Sequence, residues 1–232
     1  MAWRYEKKFY LSWQDYRVLR EALLSFMEPD PHTDAQRRYE VRSLYFDTID
    51  NRDFHEKMEG IEKRRKVRLR CYGNNEDPVK LEVKEKQGEL IRKLSSNIKR
   101  KDAERLAATP DHCALLQHYA GAAARKVQYL FSTRLYKPAA LITYFREAYL
   151  LKENGVRVTF DLDLRYDTTS LALFPRRTLM GSCAVPGVVI AEVKYYEFLP
   201  DFIWSLLQAC SLQRAAISKY CMGRAGRQLL SF

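Results

Sequence analysis

Eight stretches of this chain read as strands, and along several of them apolar and polar residues alternate with a period of two, the mark of strands buried on one face. They are Arg4–Leu11, Tyr39–Asp47, Arg64–Tyr72, Val79–Lys86, Leu90–Arg100, Ala139–Leu151, Val156–Tyr166 and Val188–Tyr196. Helical spacing marks Trp13–Met27 behind the N-cap Ser12, then Asp102–Ala108, Asp111–Ala124, Asp201–Leu212 and Ser218–Leu230. A short polar helix or turn is expected over Asn51–Glu59. The turn-rich GNNEDP joins the third and fourth strands as a hairpin, and KENG (Lys152–Gly155) joins the sixth and seventh. Glu28–Gln36 reads as a polar loop and Asp167–Pro186 as an irregular excursion. No composition shift, repeat or linker divides the chain, so residues 1–232 read as one α+β domain.

Composition adds a partner class. The 232 residues carry 40 Lys and Arg against 29 Asp and Glu, a formal net charge of +11, which favours an anion: nucleic acid, an acidic membrane surface or a phosphorylated small molecule. The five cysteines are scattered, with no CxxC or Cys/His ligand spacing, and read as reduced thiols of a cytoplasmic protein. The N-terminal MAWRYEKKFYL has no apolar signal core, and no run approaches the roughly 20 apolar residues of a transmembrane helix. The four histidines lack HExxH spacing, and no Ser/His/Asp or Cys/His arrangement is evident.

The placement of the charges is more informative than their number. Residues two apart on a strand share a face. Arg64, Lys66, Arg68 and Arg70 therefore oppose Val67 and Leu69, while Arg4, Glu6 and Lys8 share a face of the first strand. Glu82, Lys84 and Lys86 oppose Leu81 and Val83, and Glu192 and Lys194 oppose Val193 and Tyr195. Tyr144 with Arg146, and Arg157 with Thr159 and Asp161, repeat the pattern. Any one such strand fits a solvated sheet face; all of them together do not, because like charges on adjacent strands repel. A closed antiparallel barrel with apolar faces outward beneath helices and charged faces inward resolves this, and eight strands leave room inside for one small ligand. Buried Arg and Lys then call for a polyanion, and isolated Glu residues among them call for a hard cation such as Mg²⁺ or Mn²⁺.

The segments RYEKKF (Arg4–Phe9), SLYFDT (Ser43–Thr48), VRLR (Val67–Arg70), LEVK (Leu81–Lys84), VRVTFD (Val156–Asp161), AEVK (Ala191–Lys194) and SKY (Ser218–Tyr220) together resemble the VTC domain. That is the polyphosphate polymerase domain of the triphosphate tunnel metalloenzyme (CYTH-like) superfamily. The resemblance spans Arg4 to about Gly223. It implies an eight-stranded tunnel in which Arg68, Arg70, Lys84, Arg146 and Arg157 grip phosphates, and Lys8 and Lys219 complete the anion cage. It also implies that Glu192 holds the metal. Lys93 is a looser match, and the face pattern adds Lys66 and Lys194 as phosphate-binding candidates.

One departure bears on the reaction. Hydrolases of the superfamily often open on ExExK, whereas here Arg4 stands where the first Glu would fall, ahead of Glu6 and Lys8. A cation there favours the polymerase-like branch, in which a growing polyphosphate end attacks the terminal phosphoryl group of ATP and no side-chain nucleophile is needed. Glu6 and Glu82 stand as alternative metal ligands, and Tyr45 or Tyr144 as tunnel-lining tyrosines. The rival readings are a triphosphate hydrolase, a non-catalytic polyphosphate or inositol-phosphate binding module, and a nucleic-acid binder. The last fits worst, since its basic residues should form a continuous exterior patch. Polymer synthesis in the family can be coupled to membrane partners, which this sequence does not identify.

Overall fold

The computed structural model describes residues 3–73, 75–174, 180–183 and 187–226. Eight long strands build the body: β1 (Arg4–Ser12), β2 (Tyr39–Thr48), β3 (Lys63–Tyr72), β4 (Asn75–Gln87), β5 (Leu90–Ile98), β6 (Tyr136–Leu151), β7 (Val156–Asp167) and β8 (Val188–Tyr195). They pair antiparallel in the ring order β6–β2–β3–β4–β5–β1–β8–β7, and β7 returns to β6, so the sheet closes. Closure removes the exposed strand edges that would otherwise template aggregation. The slightest seam is β5–β1, where register covers only Arg4 against Ile91 and Tyr5 against Leu90. Two-residue strands at Glu28–Pro29, Gly181–Ser182 and Gln213–Arg214 add to β6, β7 and β1.

The apolar faces point outward and are roofed by helices, as the alternation predicts. Leu44, Phe46, Val67, Leu69, Leu81 and Val83 pack under α3 (Arg100–Ala108) and α4 (Ala122–Thr133), with Leu106, Val127, Leu130 and Phe131 in the same cluster. On the opposite wall Phe9, Val158, Phe160, Val189, Ala191 and Val193 meet Leu19 and Leu23 of α1 (Trp13–Leu24) and Ile203 and Leu207 of α5 (Asp201–Gln208). Each such side chain, fully buried, stabilises the fold by about 1.5–3 kcal/mol. Ser12 caps α1 by accepting from the Asp15 amide at 3.0 Å. Glu147, buried on the outer face of β6, pins the same helix by accepting from Tyr16 at 2.8 Å and Arg20 at 2.9 Å.

One end of the barrel is filled. Ile142, Tyr144 and Ile190 point inward and meet Ile217, Tyr220 and Met222 around α6 (Lys219–Ala225). A Cβ on Gly223 would lie 2.2 Å from Ile142 Cδ1, so only glycine lets α6 seat this closely. The Tyr220 hydroxyl donates to Asp47, whose carboxylate also accepts from the amides of Asp53 and Phe54 at the start of α2 (Arg52–Met58).

Several element boundaries differ from expectation. Asp111–Ala124 is not one helix: a 3₁₀ segment covers Pro110–His118, and α4 begins afresh at Ala122. Contact with β5 decides that start, because the Ala124 amide donates to Ser96 Oγ at 3.1 Å and Gly121 packs so closely that a Cβ would clash with the same oxygen. β5 ends at Ile98, earlier than the expected Arg100, which instead opens α3. α1 and α5 end at Leu24 and Gln208, short of Met27 and Leu212. Of the helix expected over Ser218–Leu230, residues 227–230 lie outside the described residues, as do 175–179 and 184–186 of the Asp167–Pro186 excursion and Asn74 of the hairpin turn.

Candidate functional site

The inward faces enclose a cavity of about 810 Å³, and eighteen lysines and arginines line it against two glutamates, Glu6 and Glu192, among the described residues. All eleven residues singled out from the sequence (Lys8, Lys66, Arg68, Arg70, Lys84, Lys93, Arg146, Arg157, Glu192, Lys194 and Lys219) lie on its wall. Their convergence follows from register. Tyr45 stands opposite Arg68 and Ser43 opposite Arg70 across β2–β3, Lys66 opposite Lys84 across β3–β4, and Lys8 opposite Glu192 across β1–β8.

The wall is not uniformly cationic, which corrects the expectation of unpaired basic residues. Glu82 accepts from Arg68 at 2.8 Å and from Lys93 at 3.0 Å, so it is committed to these cations and makes a poor metal ligand. Asp161 takes Arg146 bidentately at 2.7 and 2.8 Å, with Lys219 at 2.6 Å. Arg157 reaches Asp30 at 2.6 Å and the Tyr39 hydroxyl at 2.9 Å, while its buried Nε has no hydrogen-bond partner among the described residues. These internal carboxylates let the barrel fold while empty. Asp30 and Asp161 were missed as counter-ions because the sequence shows only the face a residue shares, not the neighbour across the strand.

Other cations are less compensated. Arg70 bonds Ser43 Oγ at 2.9 Å and the Tyr144 hydroxyl at 3.1 Å, with the Tyr72 hydroxyl as a further partner, and has no carboxylate ion pair among the described residues. Lys66 donates to Ser218 Oγ, and burial pushes its ammonium down to about 8. Burial likewise pushes Lys194 down to about 7, although Glu192 lies 3.4 Å away and works the other way. An anion entering here would meet donors already stripped of water.

Glu6 and Glu192 lie side by side on the β1–β8 wall. Burial and mutual repulsion push the Glu6 carboxyl up, but Lys84, at 2.6 and 2.7 Å, and Lys8 outweigh them and hold it below the usual carboxylate value. Burial opposes ionisation of Glu192 too, yet Lys194 and its other cationic neighbours hold it well below its ordinary value. Two ionised carboxylates side by side fit a hard divalent cation that takes its remaining ligands from phosphate oxygens and water. No group of three or more His, Cys, Asp or Glu able to hold a metal occurs among the described residues, so the protein alone does not complete such a shell.

Around the rim stand Lys57 of α2 and Arg214, which come from segments outside the strand pattern and carried no sequence signal. Arg4, Arg64 and Lys86, whose shared faces the alternation does show, join them.

No curated protein matches the chain. In fold it is similar to the PH1819 protein of Pyrococcus horikoshii (13% identity, TM-score 0.50, covering 97% of this chain and 99% of that one). It is similar to a chain of the Schizosaccharomyces pombe Mediator head module (7% identity, TM-score 0.52, covering 92% and 100%). A candidate adenylate cyclase of Bacillus halodurans aligns at 12% identity and a TM-score of 0.47 over 90% of this chain and 89% of that one. The VTC domain family matches residues 3–226, which takes in every strand of the barrel and every residue of the cavity wall. With that match over nearly its whole length, the chain belongs to the VTC domain family.

Proposed function

We propose that this protein is a metal-dependent phosphotransferase that moves the terminal phosphoryl group of ATP, or of another triphosphate, onto a polyphosphate chain lying in the barrel. One observation carries the reading: an enclosed cavity of about 810 Å³ lined by eighteen cationic side chains, with its two lining carboxylates placed together on one wall. Shared fold alone would not support it, since one barrel can host unrelated functions.

Arg70 and Lys66, free of carboxylate partners among the described residues, take the most charged phosphate oxygens, and Arg68, Arg146, Arg157, Lys84 and Lys219 flank them. Lys8, Lys93 and Lys194 close the cage, so charge spread over a loose phosphoryl-transfer transition state meets fixed donors. Glu6 and Glu192 would hold Mg²⁺ or Mn²⁺. Such an ion, when bound, neutralises phosphate charge as a Lewis acid. The terminal phosphate of the acceptor chain serves as nucleophile, and no nucleic acid is required. A cytoplasmic setting suits the buried cysteines Cys71, Cys183, Cys210 and Cys221. No described helix is long and apolar enough to cross a membrane.

A binding module is the second reading, favoured by the lysine contacts that already satisfy Glu6 and Glu192. Incubation with ATP across a Mn²⁺ titration, following both phosphate release and polymer length, separates the readings. Polymer growth supports the polymerase, phosphate release alone the hydrolase, and binding without turnover the module.

A further inference from the structure

We propose that Tyr45 is a positioning residue of the cage: its phenol oxygen acts as the built-in counter-anion of Arg68, Arg70 and Lys66 in the empty barrel, and releases them to an entering phosphate by taking up a proton. The inference rests on the phosphate-tunnel reading above and adds to it a residue which that mechanism leaves unused.

The geometry is specific. Tyr45 is the inward residue of β2 between outward Leu44 and Phe46, and it is 5% exposed. Arg68 Nη1 donates to its hydroxyl at 2.9 Å. Its ring stacks on Tyr220 with centroids 5.2 Å apart and planes at 27°. Tyr220 is itself held by Asp47, so the phenol cannot swing away.

The charges that face it are one-sided. Lys66, Arg68 and Arg70 approach from β3 and Lys8 from β1, while α6 offers the Tyr220 ring and sets its Cys221 thiol beside Lys66. The carboxylates of this network are spent elsewhere: Glu82 of β4 on Arg68 and Lys93, and Asp47 of β2 on Tyr220 and the amides of Asp53 and Phe54. Among the described residues no carboxylate forms an ion pair with Arg70 or Lys66; the Tyr144 and Tyr72 phenols also face Arg70 and the Cys221 thiol also faces Lys66, and the Tyr45 phenol is the group that lies among all three cations. Burial would push the Tyr45 hydroxyl up, but Arg68, Arg70 and Lys66 outweigh it and bring it down to about 7.

The proton balance follows. Above about pH 7 the empty barrel holds Tyr45 as phenolate. A phosphate oxyanion arriving at the same cations removes the reason for that charge, so the phenolate accepts a proton from solvent and turns from acceptor into donor. No covalent bond changes. Binding therefore takes up about one proton more above pH 7 than it would without Tyr45.

The ligand-free protein tests the first half. The ultraviolet absorbance of phenolate should rise with a midpoint near pH 7 in wild type, persist in Tyr72→Phe and vanish in Tyr45→Phe. Absence of that transition, or its loss in Tyr72→Phe instead, overturns the assignment. If Tyr45→Phe does not fold, Lys66→Met must move the wild-type midpoint upward, and an unmoved midpoint is fatal. Inorganic tripolyphosphate tests the second half, by calorimetry in buffers of different ionisation enthalpy. At pH 8 wild type should take up about one proton more than Tyr45→Phe, and at pH 6, where the phenol is already protonated, the difference should disappear. Binding with equal uptake at pH 8 overturns the handover alone. No binding at all overturns the phosphate-tunnel reading and the handover with it, while the ligand-free titration still reports on Tyr45.

Discussion

Arg146 of β6 and Asp161 of β7, directly opposite in register, form a bidentate ion pair at 2.7 and 2.8 Å inside the barrel, both 5% exposed or less. The same carboxylate also takes Lys219 of α6, so one aspartate ties the C-terminal helix to the wall. Asp161→Asn strands two buried cations, a loss that typically costs about 3–5 kcal/mol. For a chain of this size the expected fall in Tm is roughly 10 °C. Tripolyphosphate, supplying the missing negative charge, should recover more of the lost Tm than it adds to wild type. Differential scanning calorimetry with and without the anion measures both, and an unchanged Tm would sink the pairing.

Glu192 and Glu6 divide binding from turnover. Glu192→Gln keeps the shape and removes the charge, so tripolyphosphate affinity should stay within several-fold of wild type. Mn²⁺-dependent turnover of ATP should fall by about a hundredfold, the scale of losing one electrostatic element of a transition state. Turnover equal to wild type would leave Glu6 as the remaining candidate, since Glu82 is held by Arg68 and Lys93.

Like charge concentrated in an enclosed cavity makes anion binding visible as stability. At about a hundred times its Kd, tripolyphosphate should add about 2.7 kcal/mol, and chloride at matched ionic strength far less. Equal shifts in Tm from the two salts would mean general screening and no site.

A second prediction of pH dependence concerns Asp53, away from the cavity. It is 1% exposed, accepts from the Tyr136 hydroxyl at 3.0 Å, and its Oδ1 has no hydrogen-bond partner among the described residues. Burial first and the neighbouring Asp47 second push its carboxyl up to about 7. Between the ordinary carboxylate value and 7, the folded state therefore holds a proton that the unfolded chain has lost, and stability falls as pH rises. Asp53→Asn removes that penalty, worth a few kcal/mol at most at about 1.4 kcal/mol per unit. The variant should melt higher than wild type at pH 8 and show a shallower slope between pH 5 and 8. A slope as steep as wild type would place the proton elsewhere.

The alternation along the strands by itself pointed to the barrel: inward charges and outward apolar residues recur on most strands, and period two survives any tertiary arrangement. It also showed which strand residues share a face, so Arg68, Arg70, Arg146, Arg157, Glu192 and the lysines Lys8, Lys66, Lys84 and Lys194 could be grouped before any coordinates, whereas Lys219 and Lys93 came from the family resemblance. What tertiary structure decided is who stands beside whom. The pairing of Asp161 with Arg146 and Lys219, of Glu82 with Arg68 and Lys93, and of Glu6 with Lys84 depends on ring closure and register. Sequence pattern carries no information across strands that lie up to hundreds of residues apart. The start of α4 was decided by Ser96 of β5, and the rim cations Lys57 and Arg214 by how α2 and the Gln213–Arg214 segment fold against the barrel mouth. Tyr45 shows the difference most directly. Its alternation places it inside, but only the closed barrel sets its phenol among Arg68, Arg70, Lys66 and Lys8, where Coulomb attraction in a water-poor cavity turns a lining tyrosine into a titrating group.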